Sequence, residues 1–158
     1  MLPLNPNGLL RLVFVLDTQR GLFLQAAPHA EYFGFDANNG THGGRGGEDG
    51  AYKEWAKRIL APYRFHLIDV DTQKVESLPV KGVDLFHVDG DHTERGVQHD
   101  LYLAYLCIHP KGCILIDDID YIPEVKKGVE GWLACMRDSV TFEHLPSLRG
   151  EMLIRRRV

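Results

Sequence analysis

The sequence predicts an α/β fold: a doubly wound, Rossmann-like sheet that is mostly parallel and ends in an antiparallel hairpin. Three observations lead to this prediction. Short apolar segments alternate with segments of helical periodicity, several of the apolar segments end at an aspartate, and the last two are separated by a turn instead of a helix. Strands that alternate with helices form parallel sheets whose right-handed crossovers place helices on both faces.

Apolar runs predict three strands in the first half of the chain, at residues 9–16, 31–35 and 64–70. A short helix or turn is expected at residues 18–27. Residues 37–50 are rich in glycine and predict a loop. Residues 51–60 place their apolar side chains on one face and predict a helix.

The second half continues the alternation of strands and helices. Further strands are predicted at residues 84–88, 113–116, 140–145 and 151–156. A helix is expected at 93–108, with Thr93 as its N-cap, and another at 123–136. Residues 109–112, which contain Pro110 and Gly112, predict a turn.

Length and composition indicate one soluble domain over residues 1–158. The net charge of −4 does not favour nucleic acid as a partner. No segment has the apolar length of a membrane span or the pattern of a signal peptide, so we expect a cytoplasmic protein. The cysteines at 107, 113 and 135 have no CxxC spacing, and we expect three buried free thiols.

Carboxylates follow two strands that we expect to be neighbours. Asp89 follows one apolar run, and Asp117 and Asp118 follow the next run along the chain. The separation matches the roughly 30 residues of a strand–helix–strand unit. The three side chains are therefore expected to converge at the edge where open α/β sheets bind ligands.

Four aspartates, Asp17, Asp36, Asp71 and Asp89, each stand just after a predicted strand. A single acid there is commonly a helix cap or turn residue. A carboxylate after the second strand also suits a pair of ribose hydroxyls, because it accepts two hydrogen bonds. We therefore assign ribose binding to Asp36 and a contact with an adenine amino group to Asp71.

Residues 83–133 carry a resemblance to a known family. They contain DGDH at 89–92, GV at 96–97, DL at 100–101, a glycine turn, DD at 117–118 and GVEGWL at 128–133. This pattern resembles the small O-methyltransferases among the class I S-adenosylmethionine-dependent methyltransferases, a branch similar to the metal-dependent catechol and caffeoyl-coenzyme-A enzymes. The resemblance implies the strand order 3-2-1-4-5-7-6, S-adenosylmethionine as cofactor and a small hydroxylated molecule as methyl acceptor.

The resemblance also implies roles for individual residues. The loop after the first strand corresponds to the family's cofactor loop, in which Asp17 and Gly21 match while other glycines are absent. Asp89, Asp117 and Asp118 correspond to the metal ligands of the metal-dependent relatives, and such a set of oxygens suits Mg²⁺. The resemblance also implies that Asp89 contacts the cofactor.

His92 follows Asp89 by three residues, at the position where the catechol-type relatives have a lysine base. A histidine titrates near neutral pH and can therefore accept a proton there. Asp89 and His92 are thus our candidate catalytic residues. The alternative is that Asp91 and His92 only cap the next helix, and that Asp117 and Asp118 are solvated turn residues.

Two other functions fit the same sequence. The glycine-poor first loop is compatible with a domain that binds S-adenosylmethionine or a nucleoside without transferring a group, and the fold also supports enzymes that degrade the cofactor. The family's usual helices before the first strand have no counterpart here, so we expect the site to be covered either by the glycine-rich loop at 37–50 or by a second subunit, which favours a homodimer.

Overall fold

A computed structural model describes residues 9–15, 21–37 and 51–157. Seven strands form one sheet in the order β3-β2-β1-β4-β5-β7-β6. The strands are β1 (Arg11–Val15), β2 (Glu31–Asp36), β3 (Arg64–Asp69), β4 (Val83–Val88), β5 (Ile108–Ile116), β6 (Val140–Leu145) and β7 (Glu151–Arg156). The first five are parallel, and β7 is antiparallel to both of its neighbours. The predicted fold class, hairpin and strand order are confirmed.

Within the described ranges, four α-helices and a short 3-10 helix connect the strands. They are α1 (Gly21–Ala26), α2 (Ala51–Leu60), the 3-10 helix Thr72–Lys74, α3 (Glu94–Cys107) and α4 (Pro123–Met136). In the described part of the chain, no helix is long and apolar enough to cross a membrane.

The sheet separates two apolar cores, because successive strand residues point to opposite faces. On one face, α3 and α4 pack against Phe86 and Val88 of β4 and Ile114 of β5. On the other face, Leu24 of α1 and Leu60 of α2 belong to a second cluster. This cluster contains Leu85 of β4 and Leu115 of β5, which alternate along the strands with the residues of the first cluster. Helices therefore cover both faces, as doubly wound sheets require.

The predicted turn at residues 109–112 is wrong, because these residues belong to β5. Val83 pairs with Ile108 and Leu85 pairs with Cys113, so β5 holds more residues than β4 over this interval and forms a bulge. A Cβ at Gly112 would lie 2.4 Å from the Val83 carbonyl oxygen. Pro110, Lys111 and Gly112 therefore lie in the irregular first part of β5 and do not form a separate turn between α3 and β5.

The expectation of three buried thiols is correct for Cys107 and Cys113 and wrong for Cys135, which is exposed. Burial raises the pKa of both internal thiols, that of Cys113 to about 11. Cys135 lies near the end of α4, among residues that face away from the sheet. Cys135 is therefore exposed because of its position around the helix, although the sequence near it is apolar.

Candidate active site

The loop between β4 and α3 is held by capping interactions. Thr93 is the N-cap of α3, as predicted, and its hydroxyl accepts a hydrogen bond from the Gly96 backbone N–H at 3.0 Å. Asp91 Oδ1 accepts from the Thr93 backbone N–H at 2.9 Å. Thr93, and neither Asp91 nor His92, is therefore the capping residue, and Asp91 stabilises the turn that precedes it.

The two aspartates that follow β5 have different contacts. Asp117 continues the strand, since its N–H donates to the Val88 carbonyl at 3.2 Å, and its Oδ1 accepts the Asp118 N–H at 2.8 Å. Asp118 has a φ of 65°, a left-handed conformation that aspartate tolerates better than most residues. Both residues are buried.

Asp89, His92 and Asp118 form a cluster. His92 Nε2 lies 3.3 Å from Asp89 Oδ1 and 3.8 Å from Asp118 Oδ2. The potential ligand atoms of the three residues all lie within 4.8 Å of one another. Asp117, the other predicted ligand, is not in this group. The pKa of Glu151 in β7 is raised, first by burial of Glu151 and second by the charge of Asp117.

The pKa of His92 is raised above its ordinary value of 6.5. The hydrogen bond with Asp89 is the largest cause, and the charges of Asp89 and Asp118 act in the same direction. Partial burial and the positive charge of Arg149 oppose this increase. The protonated imidazole is therefore favoured by its carboxylate neighbours, which also orient the ring.

Arg149, in the turn between β6 and β7, was not singled out from the sequence. Its Nε lies 2.6 Å from Asp118 Oδ1, and its guanidinium carbon lies 4.8 Å from the centre of the Tyr121 ring. Backbone hydrogen bonds from Ile119 and Asp120 to the carbonyls of Gly150 and Arg149 join the two loops. Local sequence patterns carry no signal for a contact between such distant segments.

Of the predicted cofactor residues, Asp36 and Asp71 lie at the ends of β2 and β3, which are neighbours in the sheet. Asp36 is the last residue of β2 and pairs in register with Asp69 of β3. Asp71 follows β3 and caps the 3-10 helix, accepting from the Gln73 N–H at 3.1 Å and pairing with Lys74 at 2.9 Å. Gly21 begins α1, and Asp17 lies outside the described residues.

The cluster has a suitable donor set for a divalent cation. Two carboxylates and one imidazole provide hard oxygen ligands and one nitrogen ligand. Metal–oxygen distances of about 2.1 Å place neighbouring ligand atoms roughly 3–4 Å apart. The separations at His92 fall in this range, so only small side-chain movements are needed to surround an ion.

The comparisons with known proteins agree with this fold. Residues 11–119 match the family described as a methyltransferase domain. No curated protein sequence matches the chain.

Three similar solved structures are methyltransferases by name. A proposed caffeoyl-CoA O-methyltransferase of Staphylococcus aureus is 13% identical, with a TM-score of 0.65, over 96% of this chain and 78% of that one. The O-methyltransferase NovP is 15% identical, with a TM-score of 0.62, over 94% and 72%. A proposed rRNA methylase of Clostridium thermocellum is 14% identical, with a TM-score of 0.61, over 92% and 86%. At these identities the likeness establishes the fold and leaves the acceptor open.

Proposed function

Because the chain belongs to the methyltransferase-domain family, we propose that it transfers a methyl group from S-adenosylmethionine to an oxygen of a small hydroxylated acceptor, with help from a divalent cation. The observation that carries this proposal is the convergence of Asp89, His92 and Asp118 where β4 and β5 end. Ligands of open α/β sheets bind at this edge, and a proton acceptor is needed there when a hydroxyl is methylated.

The cofactor is expected to extend along the ends of β1, β2 and β3. Asp36 accepts hydrogen bonds from the two ribose hydroxyls, Asp71 receives the adenine amino group, and the segment from Asp17 to Gly21 borders the methionine part. The parallel pairing of β2 with both β1 and β3 supports this arrangement, since it places the strand ends side by side. Asp89 follows β4, which lies between β1 and β5 in the sheet. In this proposal it contacts both the cofactor and the acceptor.

His92 is proposed as the general base. When its Nε2–H donates to Asp89, the lone pair on Nδ1 accepts the acceptor's hydroxyl proton. The acceptor oxygen attacks the methyl carbon, the O–CH₃ bond forms as the S–CH₃ bond breaks, and S-adenosylhomocysteine leaves with the sulfur electron pair. Asp89 and Asp118 stabilise the imidazolium that results.

Asp89 and Asp118 are proposed to hold Mg²⁺ or a similar divalent cation, with Asp117 as the further ligand implied by the family. When bound, the cation supplies Lewis acidity that lowers the pKa of an acceptor hydroxyl. His92 Nε2 is close enough to Asp89 and Asp118 to be a ligand in addition to them. Nε2 could then not donate a hydrogen bond to Asp89, so this role is an alternative to the general-base arrangement. A nitrogen ligand would favour Mn²⁺ over Mg²⁺.

One sequence feature favours a second candidate function. The segment Asp17–Thr18–Gln19–Arg20–Gly21 lacks most of the glycines that let a backbone approach a ligand closely. A domain that binds S-adenosylmethionine or a nucleoside without transfer activity is the function that this feature supports.

Turnover separates the two candidates. The protein is incubated with S-adenosylmethionine and a panel of catechols, with added Mg²⁺ or Mn²⁺ or with EDTA, and S-adenosylhomocysteine formation is measured. Methyl transfer predicts product that His92→Ala reduces about 10²-fold or more. Cofactor binding with no product in any condition would support the non-catalytic function, and product without an acceptor would indicate cofactor degradation.

We also propose that the protein is a cytoplasmic homodimer. Light scattering in solution tests the dimer directly, and a monomer at all concentrations would contradict it.

A further inference from the structure

Asp100 is a buried carboxylate between two loops of the candidate site. It lies in α3 and is only 2% exposed. Gln73 Nε2 donates to its Oδ1 at 2.9 Å. The Thr72 hydroxyl and the Asp91 backbone N–H are near enough to lower the pKa of this carboxyl, although its Oδ2 has no hydrogen bond of normal geometry. One side chain therefore contacts the loop after β3 and the loop after β4.

The first turns of α3 hold the loop after β3 through further contacts. His99 Nε2 donates to the carbonyls of Thr72 and Val75 at 3.0 and 2.9 Å. Gln73 Nε2 also reaches the Gly96 carbonyl at 3.5 Å. The segment that follows Asp71, where adenine binding is proposed, is thus attached to one face of α3.

The loop after β4 rests on the same part of the helix. The Asp91 side chain lies over Gly96, where an added Cβ would be 2.3 Å from Asp91 Cγ. Asp91 immediately precedes His92, the proposed base. The backbone position of the base therefore depends on how Asp91 is held against α3.

From these contacts we propose that Asp100 is a positioning residue that joins the adenine loop, residues 71–75, to the base loop, residues 89–92. Binding of the nucleoside part of the cofactor at one loop then adjusts His92 in the other. This inference rests on the proposed function, because it takes the adenine site and the base from it. Asp100 itself touches neither cofactor nor acceptor.

The chemistry of the contact requires a carboxylate. Gln73 donates to Oδ1, and the donors of Thr72 and Asp91 lie on the side of Oδ2, which has no hydrogen bond of normal geometry. A carboxylate offers an acceptor oxygen on both sides. Burial is costly for this group and raises its pKa to about 6. An asparagine has the same shape, but its amide –NH₂ would face at least one of the donors.

Asp100→Asn is the test variant, with adenosine as the probe. Adenosine carries adenine and ribose but lacks the sulfur-bearing chain that would reach the base loop directly. In the wild type, saturating adenosine is expected to shift the NMR signals of the His92 ring and the Asp91 amide. In Asp100→Asn, we expect the His92 shift to be at least threefold smaller, while adenosine affinity stays within about threefold.

Asp84→Asn is the matched control, since Asp84 is another buried aspartate. It accepts from the Arg11 N–H at 2.8 Å and pairs with His109 at 2.9 Å, at the start of β4 and away from the site. This variant should lose stability and keep the His92 shift, which separates positioning from a general effect of altering a buried carboxylate.

Each outcome bears on a different claim. If the wild type shows the adenosine-induced His92 shift and Asp100→Asn shows it undiminished, the positioning role is wrong. If adenosine does not bind to the wild type, the proposed cofactor site is wrong. In that case an Asp91 amide signal identical in wild type and Asp100→Asn would overturn the link between the loops, and a displaced signal would support it.

Discussion

Arg149 Nε lies 2.6 Å from Asp118 Oδ1, so the turn between β6 and β7 contacts the acid cluster at the ends of β4 and β5. Asp118 is buried and adopts a left-handed backbone conformation. A buried carboxylate is costly unless a cation or hydrogen bonds compensate its charge. Arg149 provides such compensation, and its positive charge also acts on His92.

Replacing Arg149 by glutamine should raise the pKa of His92, because the arginine charge lowers it in the wild type. An NMR titration of the His92 ring in EDTA measures the change. Arg137→Gln is the matched control, since the Arg137 side chain is 80% exposed at the end of α4, and it should leave the titration unchanged. A lower His92 pKa in Arg149→Gln would contradict the assigned electrostatics.

Asp89→Asn should lower the pKa of His92, because the hydrogen bond with Asp89 is the largest cause of its elevation. If His92 acts as the base, the acidic limb of the kcat/KM profile lies above pH 6.5 in the wild type. That limb should move to lower pH in the variant, with activity reduced about 10²-fold. An unshifted limb would show that another group controls the profile.

The stability that His92 contributes should depend on pH in a defined direction. Its folded pKa is above the unfolded value, so the stabilisation is fully present below pH 6.5 and is lost as pH rises through the folded pKa. Urea unfolding of the wild type and His92→Ala across this range should show their difference in unfolding free energy shrinking as pH increases. A difference that grows with pH would contradict the raised pKa.

Asp100 should have a larger effect on stability. Burial raises its pKa from 3.8 to about 6, so the ionised form destabilises the fold by about 3 kcal/mol. This penalty is absent below the unfolded pKa of 3.8, grows as pH rises from 3.8 towards 6 and is complete above pH 6. Asp100→Asn lacks the titration. Its unfolding free energy relative to the wild type should therefore increase by about 2–3 kcal/mol between pH 4 and 7.5, and a constant difference would argue against this pKa.

Gly96→Ala should destabilise the protein by about 1–3 kcal/mol, because the new Cβ would overlap the Asp91 side chain. Gly131→Ala in α4 is the control. Its Cβ would meet only the flexible end of Gln98, at 2.7 Å from Nε2, and alanine favours a helix by about 0.5–1 kcal/mol over glycine. Urea unfolding of both variants checks the difference, and equal effects would mean that Asp91 moves away without cost.

The order of strands and helices was predictable because it depends on local patterns. Apolar runs identify the strands, and capping chemistry places Thr93 at the start of α3. The proximity of Asp89 and Asp118 was predictable, because the carboxyl ends of neighbouring parallel strands lie at the same edge of a sheet. That Asp118 and not Asp117 joins Asp89 and His92 was not predictable, since it depends on the backbone after β5, where Asp118 has a positive φ.

Long-range contacts explain what the sequence could not reveal. Arg149, in the turn between β6 and β7, contacts Asp118 after β5. Asp100 of α3 accepts a hydrogen bond from Gln73 of the 3-10 helix. The start of β5 at Ile108 depends on its register with Val83, which local turn residues do not determine.

The most direct test of the central claim is isothermal titration calorimetry with S-adenosylhomocysteine, the product of the proposed reaction. Binding that saturates below millimolar concentration is predicted. Asp36→Ala should weaken it about tenfold or more, because two hydrogen bonds to the ribose are lost. No heat at millimolar S-adenosylhomocysteine would contradict the methyltransferase account, and unchanged affinity in Asp36→Ala would contradict the assigned ribose contact.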